Sequence, residues 1–105
     1  MPQVAHVLIV HESESARAEL GRALQAEGLR VTEADSSAAA VREVWSGSFD
    51  AAVVSPQLPK VSGSPLEEHI RSLAPEIVTL PFGREPPVRL ARRVVELLDG
   101  GAAAA

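Results

Sequence analysis

Apolar residues fall along this chain in two rhythms: short runs that are apolar throughout, and longer stretches where they return every three or four positions. Val4-Ala5-His6-Val7-Leu8-Ile9-Val10 is β-branched and nearly continuous in apolar character, the pattern of a strand covered on both faces of a parallel sheet. From Ser13 to Glu27 the residues Ala16, Leu20, Ala23, Leu24 and Ala26 recur at helical spacing, and Gly28 is placed to stop the helix. Leu29 to Ala34 alternates in the manner of a less buried strand, and Asp35-Ser36-Ser37 offers caps for a second helix from Ser37 to Trp45. Trp45 follows Val41 and Val44 on that helix and is expected in the core.

The second half repeats the scheme. Phe49 to Val54 reads as a third, buried strand that stops at Ser55-Pro56, because proline cannot donate to a ladder. Ser64-Pro65-Leu66-Glu67 has the form of a capping box, with Ser64 as the cap, and predicts a third helix to about Leu73. Glu76 to Leu80 is a fourth strand closed by Pro81, and Pro86 to Leu98 carries Leu90, Val94, Leu97 and Leu98 on one stripe, with Gly100 as its stop. Residues 1–100 thus form one domain, and the Gly/Ala stretch 101–105 is expected to be a flexible tail. Four strand-then-helix units in sequence predict a parallel sheet with helices on both faces, whose ligand-facing loops follow the strand ends.

Composition narrows the function classes. The chain has 105 residues, 46% of them hydrophobic and 23% charged, which is ordinary for one globular domain. Its net charge of −4 gives no footprint for a phosphate backbone, so direct nucleic-acid binding is not expected. No apolar run is long enough to span a bilayer and no leader pattern opens the chain, so no membrane association and a cytoplasmic location are expected. The absence of cysteine excludes disulfides and thiolate chemistry.

Several residues have a chemical reading beside a plainer one. His11 and Glu12 form an adjacent pair at the end of the first strand, yet two neighbours do not make a coordination shell. Ser13, Ser15, His69 and Asp50 hold the residue types of a hydrolytic triad, but no Gly-x-Ser-x-Gly elbow accompanies them. Gly83 alone lacks the glycine density of a phosphate-cradling loop. Arg89, Arg92 and Arg93 read as a solvated face, or as the side that meets an acidic partner.

The strand-end loops resemble those of response-regulator receiver domains. Val7-Leu8-Ile9-Val10-His11-Glu12-Ser13 is similar to the family's first strand and acidic pair, and Phe49 to Pro59 is similar to its third strand and phosphoacceptor loop. Gly63 matches the glycine that follows, and Leu80-Pro81-Phe82 resembles the family's Lys-Pro-Phe. The resemblance covers nearly the whole chain and implies a flavodoxin-like three-layer α/β fold. Set against the family, the chain is one βα unit short, which gives four parallel strands in the order 2-1-3-4 with four helices.

The departures from the family define the functional expectation. The phosphoacceptor aspartate aligns with Ser55, one acid of the metal-binding pair with His11, and the phosphate-pairing lysine with Leu80. His11, Glu12, Ser55 and Leu80 are therefore expected to form a degenerate acceptor pocket that needs no cofactor or metal. The resemblance implies a phosphorylation-independent interaction module in bacterial signalling that docks another signalling protein. The candidate surface is Val78, Phe82, Arg89, Leu90, Arg93 and Val94. Loss of a βα unit is expected to bare apolar surface and a strand edge, which points to a homodimer. Two alternatives stay open: a switch in which a Ser/Thr kinase modifies Ser55, and a residual metal or enzymatic site using His11, Glu12 and Asp50.

Overall fold

A computed structural model describes the backbone of residues 4–104 and the side chains of residues 4–99. The elements alternate as β1 (His6–Val10), α1 (Glu14–Ala26), β2 (Arg30–Ala34), α2 (Ser37–Ser46), β3 (Ala51–Val54), α3 (Leu66–Leu73), β4 (Val78–Pro81) and α4 (Pro87–Ala104). All pairings are parallel and the sheet order is β2-β1-β3-β4, as the sequence predicts. The chain turns toward β2 after β1 and toward β4 after β3, so the direction of winding reverses between β1 and β3. Their carboxyl ends flank the crevice where ligands of such sheets bind.

Both faces of the sheet are buried, and this explains the continuous apolar character of β1 and β3. Leu8, Val10, Ala52 and Val54 belong to one core with Ala40 and Val44 of α2 and Leu66 and Ile70 of α3. Val7, Ile9, Ala51 and Val53 belong to the other, with Leu20 and Leu24 of α1 and Leu90, Ala91 and Val94 of α4. Successive strand side chains alternate between the two.

Several local expectations are corrected. Trp45 is 73% exposed: the core stripe of α2 runs through Ala40 and Val44, and the next residue is turned about 100° away from it. Ser64 does not cap α3, which starts after Pro65 without a side-chain cap. Its backbone is instead committed to Val61 through a reciprocal pair of bonds at 2.8 and 3.0 Å. Ser62 and Gly63 form the turn between them at φ 51° and 82°, and two consecutive positive φ values favour a glycine in one of the positions. Ser13 and Ser36 do cap α1 and α2, accepting from the amides of Ala16 and Ala39. Gly100 does not end α4, which continues to Ala104; the expected mobility of the 101–105 tail lies outside the described side chains.

The shortened sheet conceals its apolar side chains better than the sequence suggests. Val78 and Leu80 both face the α1/α4 core, where Leu80 is 2% exposed, so Thr79 and Pro81 lie on the opposite face of β4, the side of α3. The amides of Val78 and Phe82 bond inward to Asp50 and Val54 at 3.1 and 2.8 Å. Alternate residues then direct their backbone to the open edge, namely Thr79 and Pro81, and proline has no N–H. The edge offers a single donor, a poor template for strand addition.

Candidate functional site: the pocket at the strand ends

Three backbone bonds extend the strand ladders by one residue and fix the pocket. The His11 amide bonds to Ala34 at 3.2 Å, that of Ser55 to Val10 at 2.8 Å and that of Phe82 to Val54 at 2.8 Å. His11, Ser55 and Phe82 are therefore held in a row by the sheet itself. Together with Pro56, Gln57, Gly83 and Arg84 they line a cavity of about 380 Å³.

Ser55 is 3% exposed. Its hydroxyl donates to Glu12 Oε1 at 3.1 Å and accepts from the Gln57 amide at 3.3 Å, so both hydrogen-bonding directions of the oxygen are in use. A kinase acting on Ser55 would have to draw this hydroxyl out of the sheet end. His11 Nδ1 accepts from the Ser13 amide at 2.9 Å and lies 3.1 Å from Glu12 Oε1. One ring nitrogen cannot accept and donate together, so the bond from the Ser13 amide makes Nδ1 an acceptor and holds the start of α1. The ring rests against Phe82, with centroids 4.5 Å apart.

His11, Glu12 and Ser55 meet at this pocket, and Leu80 lies inside the α1/α4 core. Asp50 is not part of the group. It lies at the other end of the sheet, where its carboxylate accepts from the His6 amide at 2.8 Å. His11, Glu12 and Asp50 thus cannot share a ligand, and the triad of Ser13, Ser15, His69 and Asp50 dissolves for the same reason, since Ser13 caps α1 and His69 belongs to α3. Among the described residues no group of three His, Cys, Asp or Glu could hold a metal ion.

Two residues escaped the sequence reading. Arg17, with 13% of its side chain exposed, donates to the His11 carbonyl at 2.8 Å and to Glu33 at 3.1 Å. It ties α1 to the ends of β1 and β2; nothing in the sequence sets it apart from Arg22 of the same helix. Arg84 brings a cation to the pocket rim from the loop after β4, a position with no periodicity to mark it.

The expected interaction surface is also corrected. Leu90 and Val94 are fully buried, because the apolar stripe of α4 is the side that covers the sheet. Val78 and Phe82 are partly buried against the same core. Arg89 and Arg93 are exposed, and Arg93 is paired with Glu85. No helix among the described residues is long and apolar enough to cross a membrane.

A doubly covered parallel sheet with its pocket at the reversal between β1 and β3 defines a flavodoxin-like domain. The chain belongs to the response regulator receiver domain family, whose model matches residues 7–97. Among solved structures it is similar to a CheY-like response regulator receiver domain protein from Methanospirillum hungatei, with 18% identity, a TM-score of 0.86, and 98% of this chain and 100% of that one covered. The receiver domain of NtrC4 from Aquifex aeolicus aligns at 18% identity and TM-score 0.74, over 91% of this chain and 98% of that one. A signal receiver domain of a histidine kinase from Syntrophus aciditrophicus gives 17% and 0.75, over 92% of each. At these identities the likeness establishes the fold. No curated protein matches the chain.

Proposed function

We propose that this domain is a pseudo-receiver, a phosphorylation-independent interaction module of cytoplasmic signalling that works without catalysis and self-associates as a homodimer. One observation carries the reading: the residue at the acceptor position is a buried serine whose hydroxyl is bonded to Glu12. Phosphoryl transfer to a receiver needs a carboxylate nucleophile, hard oxygen ligands for a divalent cation and a cation for the developing charge. Here the three corresponding positions hold Ser55, the His11–Glu12 pair and buried Leu80. A pocket whose polar groups are satisfied by one another is a fixed shape, and shape is what a docking protein reads.

The test is intact-mass analysis after incubation with acetyl phosphate and Mg²⁺. The expected spectrum is that of the unmodified chain. A stable or hydroxylamine-sensitive phosphoryl adduct would overturn the proposal.

A further inference from the structure

The outer face of α4 carries its basic residues before its acidic ones. Arg89, Arg92 and Arg93 fall in the first half, followed by Glu96 and Asp99, and the first turn contains no acidic residue. The helix macrodipole disfavours a base in the first turn, where Arg89 stands, and fades beyond that turn. The intramolecular pairing on this face is thin. Arg92, 67% exposed, reaches Glu27 only at 3.8 Å, and Arg89, Glu96 and Asp99 take part in no ion pair among the described residues.

Val88, Arg92, Val95 and Asp99 follow one another at spacings of four, three and four residues, so they form a single stripe along the helix. The core-facing residues Leu90, Ala91 and Val94 lie elsewhere on its circumference. Val88 is 67% exposed, Arg92 and Asp99 are exposed and Val95 is half-buried. Arg92 lies ~4.5 Å along the axis before Val95 and Asp99 ~6 Å after it. The stripe is therefore nearly balanced in position about Val95 and opposite in charge at its two ends. A surface with this property is complementary to itself after a two-fold rotation.

We infer that α4 packs antiparallel against α4 of a second copy, with Val95 at the two-fold axis and Arg92 of each copy opposite Asp99 of the other. Charge complementarity selects a second copy as the occupant: a wholly acidic partner would meet Asp99 with repulsion, and a wholly basic one would meet Arg92. The open edge of β4 is the competing surface, and Pro81 has removed one of its donors. One helix stripe buries less than the roughly 1,200 Å² of a stable interface, so the dimer is weak and reversible. The inference rests on the proposed self-association and specifies the surface that makes it.

The test uses sedimentation equilibrium on the full chain and on Arg92→Asp and Asp99→Arg, with circular dichroism confirming that each variant is folded. The wild type should show a concentration-dependent dimer. Each variant alone should be monomeric over the same range, because one places four acids and the other four arginines at the axis. Mixed in equal amounts, the two variants should recover association, since the all-acidic stripe of one then meets the all-basic stripe of the other at both ends. A wild type that stays monomeric would overturn both this inference and the self-association it rests on. Dimerisation that survives both substitutions, or a mixture that remains monomeric, would overturn the α4 pairing alone and leave self-association standing.

Discussion

The hydroxyl of Ser55 donates to Glu12 Oε1 across 3.1 Å, joining the carboxyl end of β3 to the loop after β1. It lies at the reversal point of the sheet, where other members of this fold class bind their ligands. The crevice is therefore stitched by the chain's own side chains.

Ser55→Ala should remove that bond and the acceptor of the Gln57 amide while leaving the fold intact. A bond to a charged partner is worth about 1.5–3 kcal/mol at most, and Glu12 can turn to water. A loss of about 1–2 kcal/mol in urea unfolding is expected. An unchanged midpoint would mean that the link contributes nothing to stability.

Leu80→Lys restores the residue type that the family resemblance implies at this position, and it should fail structurally. Leu80 is 2% exposed among apolar neighbours, and a buried ammonium without a partner costs several kcal/mol. A large fall in Tm is the expected result. A stable variant would show that the lysine can reach the pocket and that the loss of charge there is easily reversed.

Leu90→Ala and Trp45→Ala separate the corrected surface from the expected one. Leu90 is fully buried and Trp45 is 73% exposed. The leucine truncation should cost about 2–5 kcal/mol and the tryptophan truncation less than about 1 kcal/mol. Comparable losses from chemical denaturation would contradict the placement of α2 and α4.

Arg17→Ala should detach α1 from the ends of β1 and β2. Two bonds are lost, to the His11 carbonyl and to Glu33, for a cost of about 1–3 kcal/mol. The amides of His11 and Ser13 should exchange hydrogen faster than those of α4, which do not depend on this anchor. Uniform acceleration across the domain would indicate global destabilisation instead.

The alternation of elements and the parallel sheet were legible in the sequence because they follow from local periodicity, whereas the strand order was implied by the resemblance to receiver domains. A strand apolar on both faces requires two covering layers, and one helix between successive strands forces parallel pairing. The serine cap of α2 was legible for the same reason, since a cap acts within three residues. Ser55, His11, Glu12 and Leu80 could be named because the resemblance to receiver domains assigns those positions to the pocket.

Packing decided the rest. Apolarity marked Leu90 and Val94 without saying whether they meet the sheet or solvent, and only the seating of α4 on α1 and β4 put them inside. Trp45 is as apolar as any core residue, but the rotation of α2 set by Ala40 and Val44 left it outside. Ser64 had the sequence of a cap and lost that role to a turn whose bonds close on Val61. Asp50 stood with His11 and Glu12 by residue type and was parted from them by the length of a strand. Periodicity is fixed by neighbours in sequence, whereas exposure, partnership and distance are fixed by neighbours in space, and those exist only once the sheet has closed.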